Sequence, residues 1–79
     1  MKIKNNIVKI TTNDGLKKLT RWNNGTYYEP KVEFVIFNIN DIMYATSGPR
    51  VYVTKGHSKM MLTLTPQAFE SLEKIIFKD

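Results

Sequence analysis

RVYVTKGHSKMMLTLTPQAFESLEKII, residues 50–76, decides the fold, because the period of its apolar residues changes once, at Thr65-Pro66. From Arg50 to Lys55 the side chains alternate, Val51 and Val53 on one face and Tyr52 and Thr54 on the other. Met60, Leu62 and Leu64 resume the same period after the short connection Gly56-His57, which predicts a hairpin of two half-buried strands. Thr65 then offers a hydroxyl acceptor for a helix N-cap, and Pro66 fits the first helical position, where a missing N–H costs nothing. Beyond it Phe69, Leu72 and Ile76, widened by Ala68 and Ile75, make an apolar stripe. Gln67, Glu70, Ser71, Glu73 and Lys74 take the other face, with Glu70 and Lys74 spaced i,i+4, so the spacing predicts a helix over 66–77.

Toward the N-terminus, Ile7, Val8 and Ile10 followed by Thr11 and Thr12 form a β-branched run that stops at Asn13-Asp14-Gly15. Asp-Gly suits a tight hairpin, which makes Leu16–Trp22 the return strand, ended by a second turn at Asn23-Asn24-Gly25. Thr26-Tyr27-Tyr28 leads to Glu29-Pro30, and proline confines this stretch to an edge, a bulge or a loop. Residues 31–37 begin with Val32, Phe34 and Ile36 on one face and Lys31, Glu33, Val35 and Phe37 on the other; both faces end apolar, as expected of a central strand. Asn38-Ile39-Asn40-Asp41-Ile42 favours a turn or a single helical turn, Met43–Thr46 is extended again, and Ser47-Gly48-Pro49 turns the chain.

Together these elements predict one α+β domain over 1–79: a small twisted antiparallel β-sheet of about five strands within 1–65, and one C-terminal α-helix. A chain this short buries only ~60% of the surface it exposes unfolded. Val35, Phe37, Tyr44 and Tyr52 add apolar surface to the face opposite the helix, so a homodimer or higher oligomer is expected, formed through that face or through strand pairing. With no cysteine there is no disulfide framework and no thiolate chemistry. No apolar run approaches membrane-spanning length, and Met1–Asn6 lacks the apolar centre of a signal peptide, so the cytoplasm is the expected location. Heavy use of Lys, Asn and Ile fits an AT-rich coding genome, such as those of many bacteria and their phages.

The formal charge is +5, from 12 Lys+Arg against 7 Asp+Glu, and residues 66–79 contribute −1 of it, so the strands carry the excess. Lys17, Lys18 and Arg21 lie on one predicted strand near Trp22, with Tyr27 and Tyr28 just past the turn; Arg50, Tyr52 and Lys55 share the later hairpin. Cations interleaved with aromatics are what a surface needs to neutralise phosphates and stack bases, at ~1–3 kcal/mol per stacked base. Strand packing and edge protection account for the same residue types, and at this stage both accounts stand. Thr46-Ser47-Gly48-Pro49-Arg50 adds a glycine turn flanked by hydroxyls and an arginine, which could hold an anion through Ser47 and Arg50 or simply turn the chain. The ligand-binding set is therefore Lys17, Lys18, Arg21, Trp22, Tyr27, Tyr28, Ser47 and Arg50. Arg21 and Trp22 point to opposite faces of a regular strand, and a lone tryptophan in a thin core is expected to be buried.

His57 is the sole histidine and sits in a predicted turn, so no imidazole pair exists to ligate a metal. Ser58 follows it directly and points to the other face of a strand, a poor arrangement for a nucleophile and its base. Asp14, Glu29, Glu33 and Asp41 are scattered over turns and alternating positions, and no catalytic set, metal or cofactor is expected.

From Leu19, the text Leu19-Thr20-Arg21-Trp22-Asn23-Asn24-Gly25-Thr26-Tyr27-Tyr28 resembles the opening of the small flagellar FlbD/SwrD-like family. The resemblance continues through Phe37-Asn38-Ile39-Asn40-Asp41-Ile42, Gly48-Pro49, Val51-Tyr52-Val53 and a final helix ending in Glu73-Lys74-Ile75-Ile76. Residues 38–76 also look like the first half of a LytTR-type DNA-binding domain, ending before that domain's basic segment. Two functional expectations follow. One is a small non-enzymatic binding or regulatory protein, of a kind phages encode, whose basic sheet takes an anionic ligand, either nucleic acid or a nucleotide-type small molecule. The other, implied by the flagellar resemblance, is a protein–protein interaction adaptor.

Overall fold

A computed structural model of the chain describes residues 1–77; Lys78 and Asp79, which enter the charge balance above, lie outside the described residues. In chain order the elements are β1 (Lys2–Lys4), β2 (Ile7–Thr11), β3 (Leu16–Asn23), β4 (Thr26–Tyr28), β5 (Phe34–Asn38), β6 (Ile42–Thr46), β7 (Arg50–Lys55), β8 (Ser58–Leu64) and the helix α1 (Pro66–Ile76). All strand pairs are antiparallel, so the α+β class with one C-terminal helix holds. The strands form two sheets, however: five strands in the order β4-β3-β8-β7-β6, and a separate sheet β1-β2-β5.

Turn chemistry explains the hairpins. Lys55 faces Ser58 across Gly56-His57, and Gly56 takes the positive φ (61°) that the two-residue loop requires. Asn24 and Gly25 (φ 52° and 81°) close β3 onto β4, with Asn23 opposite Thr26. A third hairpin, β1 with β2, turns on Asn5-Asn6 (φ 54° and 64°) and was not anticipated, although asparagine is the side chain besides glycine that most readily adopts this conformation. Between β5 and β6, Ile39–Asp41 makes the expected single helical turn, with the Asn38 side chain accepting from the Asn40 N–H at 2.8 Å.

The predicted hairpin at Asn13-Asp14-Gly15 is not formed. β2 pairs with β1 and β5, β3 with β4 and β8, and the segment between them is a crossover from one sheet to the other. Here a capping box outcompetes the Asp-Gly turn. Thr11 Oγ1 accepts from the Asp14 N–H at 3.2 Å, and Asp14 accepts from the Thr11 N–H at 3.2 Å, winding Thr12–Asp14 into a 3-10 turn that ends on Gly15 at φ 113°. The carbonyl of Gly15 then accepts from the Thr65 N–H at 2.8 Å, and Thr65 Oγ1 caps α1 by accepting from the Ala68 N–H at 3.2 Å. The crossover is thus tied to the start of the helix.

Asp14 also meets the Met1 ammonium at 2.9 Å. That hydrogen bond first, and those from the Thr11 N–H and hydroxyl next, hold the Asp14 carboxyl down at about 2, below its ordinary 3.8. A carboxylate with a depressed folded-state pKa stabilises the fold fully above its unfolded pKa, and the contribution fades as pH falls toward the folded value. Urea midpoints of the wild type should therefore decline from pH 4 toward pH 2 more steeply than those of Asp14→Asn. Parallel slopes for the two proteins would show that Asp14 is not held by this cluster.

β3 contains a β-bulge. Leu16 faces Leu64 and Lys18 faces Thr63, so Lys17 is the extra residue. The bulge brings Leu16 and Leu19, three residues apart, onto the same core-facing side, and both are buried. With Val51, Val53, Leu62 and Leu64 they meet Val8, Ile10, Val35 and Phe37 from the small sheet and Ala68 and Leu72 from α1, forming one cluster. The small sheet and α1 therefore share one face of the five-stranded sheet.

β5 was expected to be central, and it is an edge strand paired only with β2. Its Val35 and Phe37 are buried in the core, while Phe34 and Ile36 are the exposed pair, at 47% and 54%. The spare apolar surface from which self-association was expected therefore does not include Val35 or Phe37, because the small sheet's partner face is already covered.

Candidate nucleic-acid interface

The face of the five-stranded sheet turned away from the small sheet and α1 is covered by no element, and the strand registers place its residues in rows. One row runs Thr46, Arg50, Thr63, Lys18; the next Tyr44, Tyr52, Met61, Thr20; the third Thr54, Lys59, Trp22, Tyr27. Cross-strand neighbours in a row stand about 5 Å apart, close enough for aromatic side chains to touch. Tyr44 and Tyr52 stack with centroids 4.4 Å apart and planes 20° from parallel, and Trp22 lies 6.4 Å from Tyr27, tilted by 42°. Between these two aromatic pairs lies a cleft of about 440 Å³, its walls formed by Trp22, Tyr44 and Tyr52, its end by Asn23, Asn24 and Gly25, with His57 and Lys59 beside it.

Trp22 is half-buried on this outer face rather than enclosed in the core. The expectation of a core tryptophan fails because Leu19 and Arg21, not Trp22, share the inward register once the bulge has reset the strand. Lys59 and Arg50 are exposed cations on the same face, and Arg50 extends along the Ser47–Pro49 turn, its Cγ 3.2 Å from where a Cβ on Gly48 would stand. Lys18 is exposed and forms an ion pair with Glu29, at the end of β4. Thr20, between Lys18 and Trp22, is buried, and its hydroxyl has no hydrogen-bond partner among the described residues.

The eight anticipated ligand-binding residues therefore separate. Trp22, Tyr27, Lys18 and Arg50 share the outer face. Lys17 sits in the bulge and lines a shallow cavity with Lys18, Pro30 and Lys31. Arg21 and Tyr28 face each other across β3 and β4 on the opposite side of the sheet from Trp22 and Tyr27. Ser47 is exposed and borders a groove between β6 and α1, away from the aromatic cleft. Lys59, Tyr44 and His57, outside the expected set, join the outer face. Lys59 was legible, since the inward alternation of Met60, Leu62 and Leu64 sends Lys59, Met61 and Thr63 outward. Tyr44 depended on a bulge in β6, where the register shifts between Ile42 and Tyr44.

Chemically this arrangement offers flat π faces and positive charge. Among the described residues no three His, Cys, Asp or Glu side chains gather as a metal would require, and no helix is long and apolar enough to cross a membrane. No protein-family model, no curated protein and no solved structure matches the chain.

Proposed function

We propose that this protein is a non-enzymatic binding module that holds single-stranded nucleic acid on the outer face of its five-stranded sheet. One observation carries the reading: Trp22, Tyr27, Tyr44 and Tyr52 lie together on the face of the five-stranded sheet that the small sheet and α1 leave open, interleaved with Lys18, Lys59 and Arg50. Bases stack on such rings without regard to sequence, and the cations track the backbone. A single strand suits the face better than a duplex, because a duplex hides the π faces of its bases. The helix α1 offers no alternative duplex reader, since its solvent side carries Glu70 and Glu73 against a single lysine, Lys74, which is paired with Glu70.

Fluorescence anisotropy with a labelled oligothymidylate tests this. With Lys18 paired to Glu29, Lys59 and Arg50 contacting phosphates predict a slope of about −1.4 for log K against log salt, at ~0.7 per contact on a single strand. Trp22→Ala should weaken binding about tenfold, matching the ~1–3 kcal/mol worth of one stacked base. Lys59→Gln should reduce the salt slope by about one contact while leaving the fold intact. Absence of binding at 50 mM salt, or equal affinities of wild type and Trp22→Ala, would refute the assignment.

A further inference from the structure

Arg21, excluded from the outer face by the register of β3, enters a different site. A cavity of about 480 Å³ opens where the ends of β2 and β5 overhang the inner face of β3, β8 and β7. Its floor is apolar: Phe37, Val53 and Met60 are buried core residues, and Ile7 and Ile36 rise at the mouth. Its polar wall carries three cations, Arg21, Lys55 and Lys59, against one carboxylate, Asp41. Arg21 is half-buried, and neither Asp41 nor any other described carboxylate lies within ion-pair distance of it.

We propose that this cavity binds a small amphiphilic anion, with Arg21 and Lys55 holding a carboxylate or phosphate monoester head and the exposed Ile7 and Ile36 taking its apolar body above the buried Phe37, Val53 and Met60. A guanidinium presents two parallel N–H donors to such a head, a geometry an ammonium cannot reproduce, and partial removal from water strengthens the bonds. The cavity's volume lies within the ~300–1,000 Å³ typical of small-molecule sites, and a lining that joins apolar side chains to a few polar groups is common to them. An uncharged apolar ligand would leave the excess positive charge of the wall unanswered, and a simple inorganic anion would leave Ile7 and Ile36 in water. Both halves of the lining select one ligand class. Lys59 borders both this cavity and the aromatic cleft, but Arg21 and Trp22, which belong to one site each, occupy opposite faces of β3.

Decanoate and decanol, titrated below their aggregation concentrations and followed by amide NMR shifts, separate the possibilities. Decanoate should bind at least tenfold more tightly than decanol and move the amides of Arg21, Val53, Lys55 and Met60, while those of Thr46, Arg50 and Thr63 stay in place. Arg21→Gln should weaken decanoate at least tenfold with little effect on decanol. Ile36→Trp changes an exposed residue at the mouth, so the fold survives, and it should weaken both ligands by crowding the entrance. Equal affinity for decanoate and decanol, unaltered decanoate binding by Arg21→Gln, or shifts confined to the outer face would each overturn the assignment. Because the oligothymidylate assay uses a different probe and is read through Trp22, while decanoate is read through Arg21, either reading can fail while the other stands.

Discussion

Leu62→Ala should lower the thermal midpoint by about 15–30 °C and leave a substantial fraction of the chain unfolded at 37 °C. Leu62 is fully buried on the central strand β8, with Leu19 opposite on β3 and Val51 opposite on β7. Truncating such a leucine removes its transfer free energy and leaves a cavity, at about 3–5 kcal/mol where neighbouring strands cannot collapse inward. A domain this small has roughly 4–12 kcal/mol in total, and each kcal/mol shifts its midpoint by about 4–8 °C. Circular-dichroism melts read the effect directly. Met61→Ala is the matched control: Met61 is the next residue, points to the outer face and is only half-buried, so its loss should be under about 1.5 kcal/mol. A one-residue slip of β8 would exchange the two outcomes, since register alone assigns each residue its face.

Gly15→Ala should destabilise by about 3 kcal/mol, for two reasons that add. At φ 113° an L side chain is strained. In addition, a Cβ would collide with the Thr65 hydroxyl and stand 2.7 Å from the Ala68 Cβ, displacing the N-cap and first turn of α1. Gly25 is the comparison. Its φ is also positive, at 81°, yet nothing lies within 4 Å of where its Cβ would be, so Gly25→Ala should carry only the backbone term of about 1 kcal/mol. Urea unfolding of both variants checks the difference. Similar losses would mean that Gly15 serves only the turn and does not seat the crossover against the helix.

These two glycines show where sequence information ends. Gly25 belongs to an Asn-Gly hairpin whose flanking strands lie on either side of it, so every interaction that selects the turn is local. Asp14-Gly15 carries the same dipeptide chemistry, but Thr11, three residues before Asp14, offers a competing capping box. Which pattern prevails depends on Thr65 and Ala68, fifty residues away, against which Gly15 docks. The Asn5-Asn6 turn is local as well, selected by two side chains that tolerate a positive φ.

The candidate sites divide in the same way. Alternation by itself establishes that Arg21 and Trp22 part company, that Lys59 and Met60 do so, and that Thr65-Pro66 begins a helix, because these follow from the two-residue and 3.6-residue periods of the backbone. It does not establish which side of a strand is inside. That was decided by tertiary packing. Once the bulge at Lys17 placed Leu16 and Leu19 together, and β2, β5 and α1 buried them, the other face, with Trp22, Tyr44, Tyr52 and Lys59, was left to solvent. β5 shows the same dependence, since its Phe-Val-Ile-Phe run reads as apolar on both faces and only pairing with β2 commits Val35 and Phe37 to the core. The chain thus carried its local elements and its excess of positive charge on its own. The assignment of aromatics and cations to a common surface required the three-dimensional arrangement, because a face exists only once something covers the opposite one.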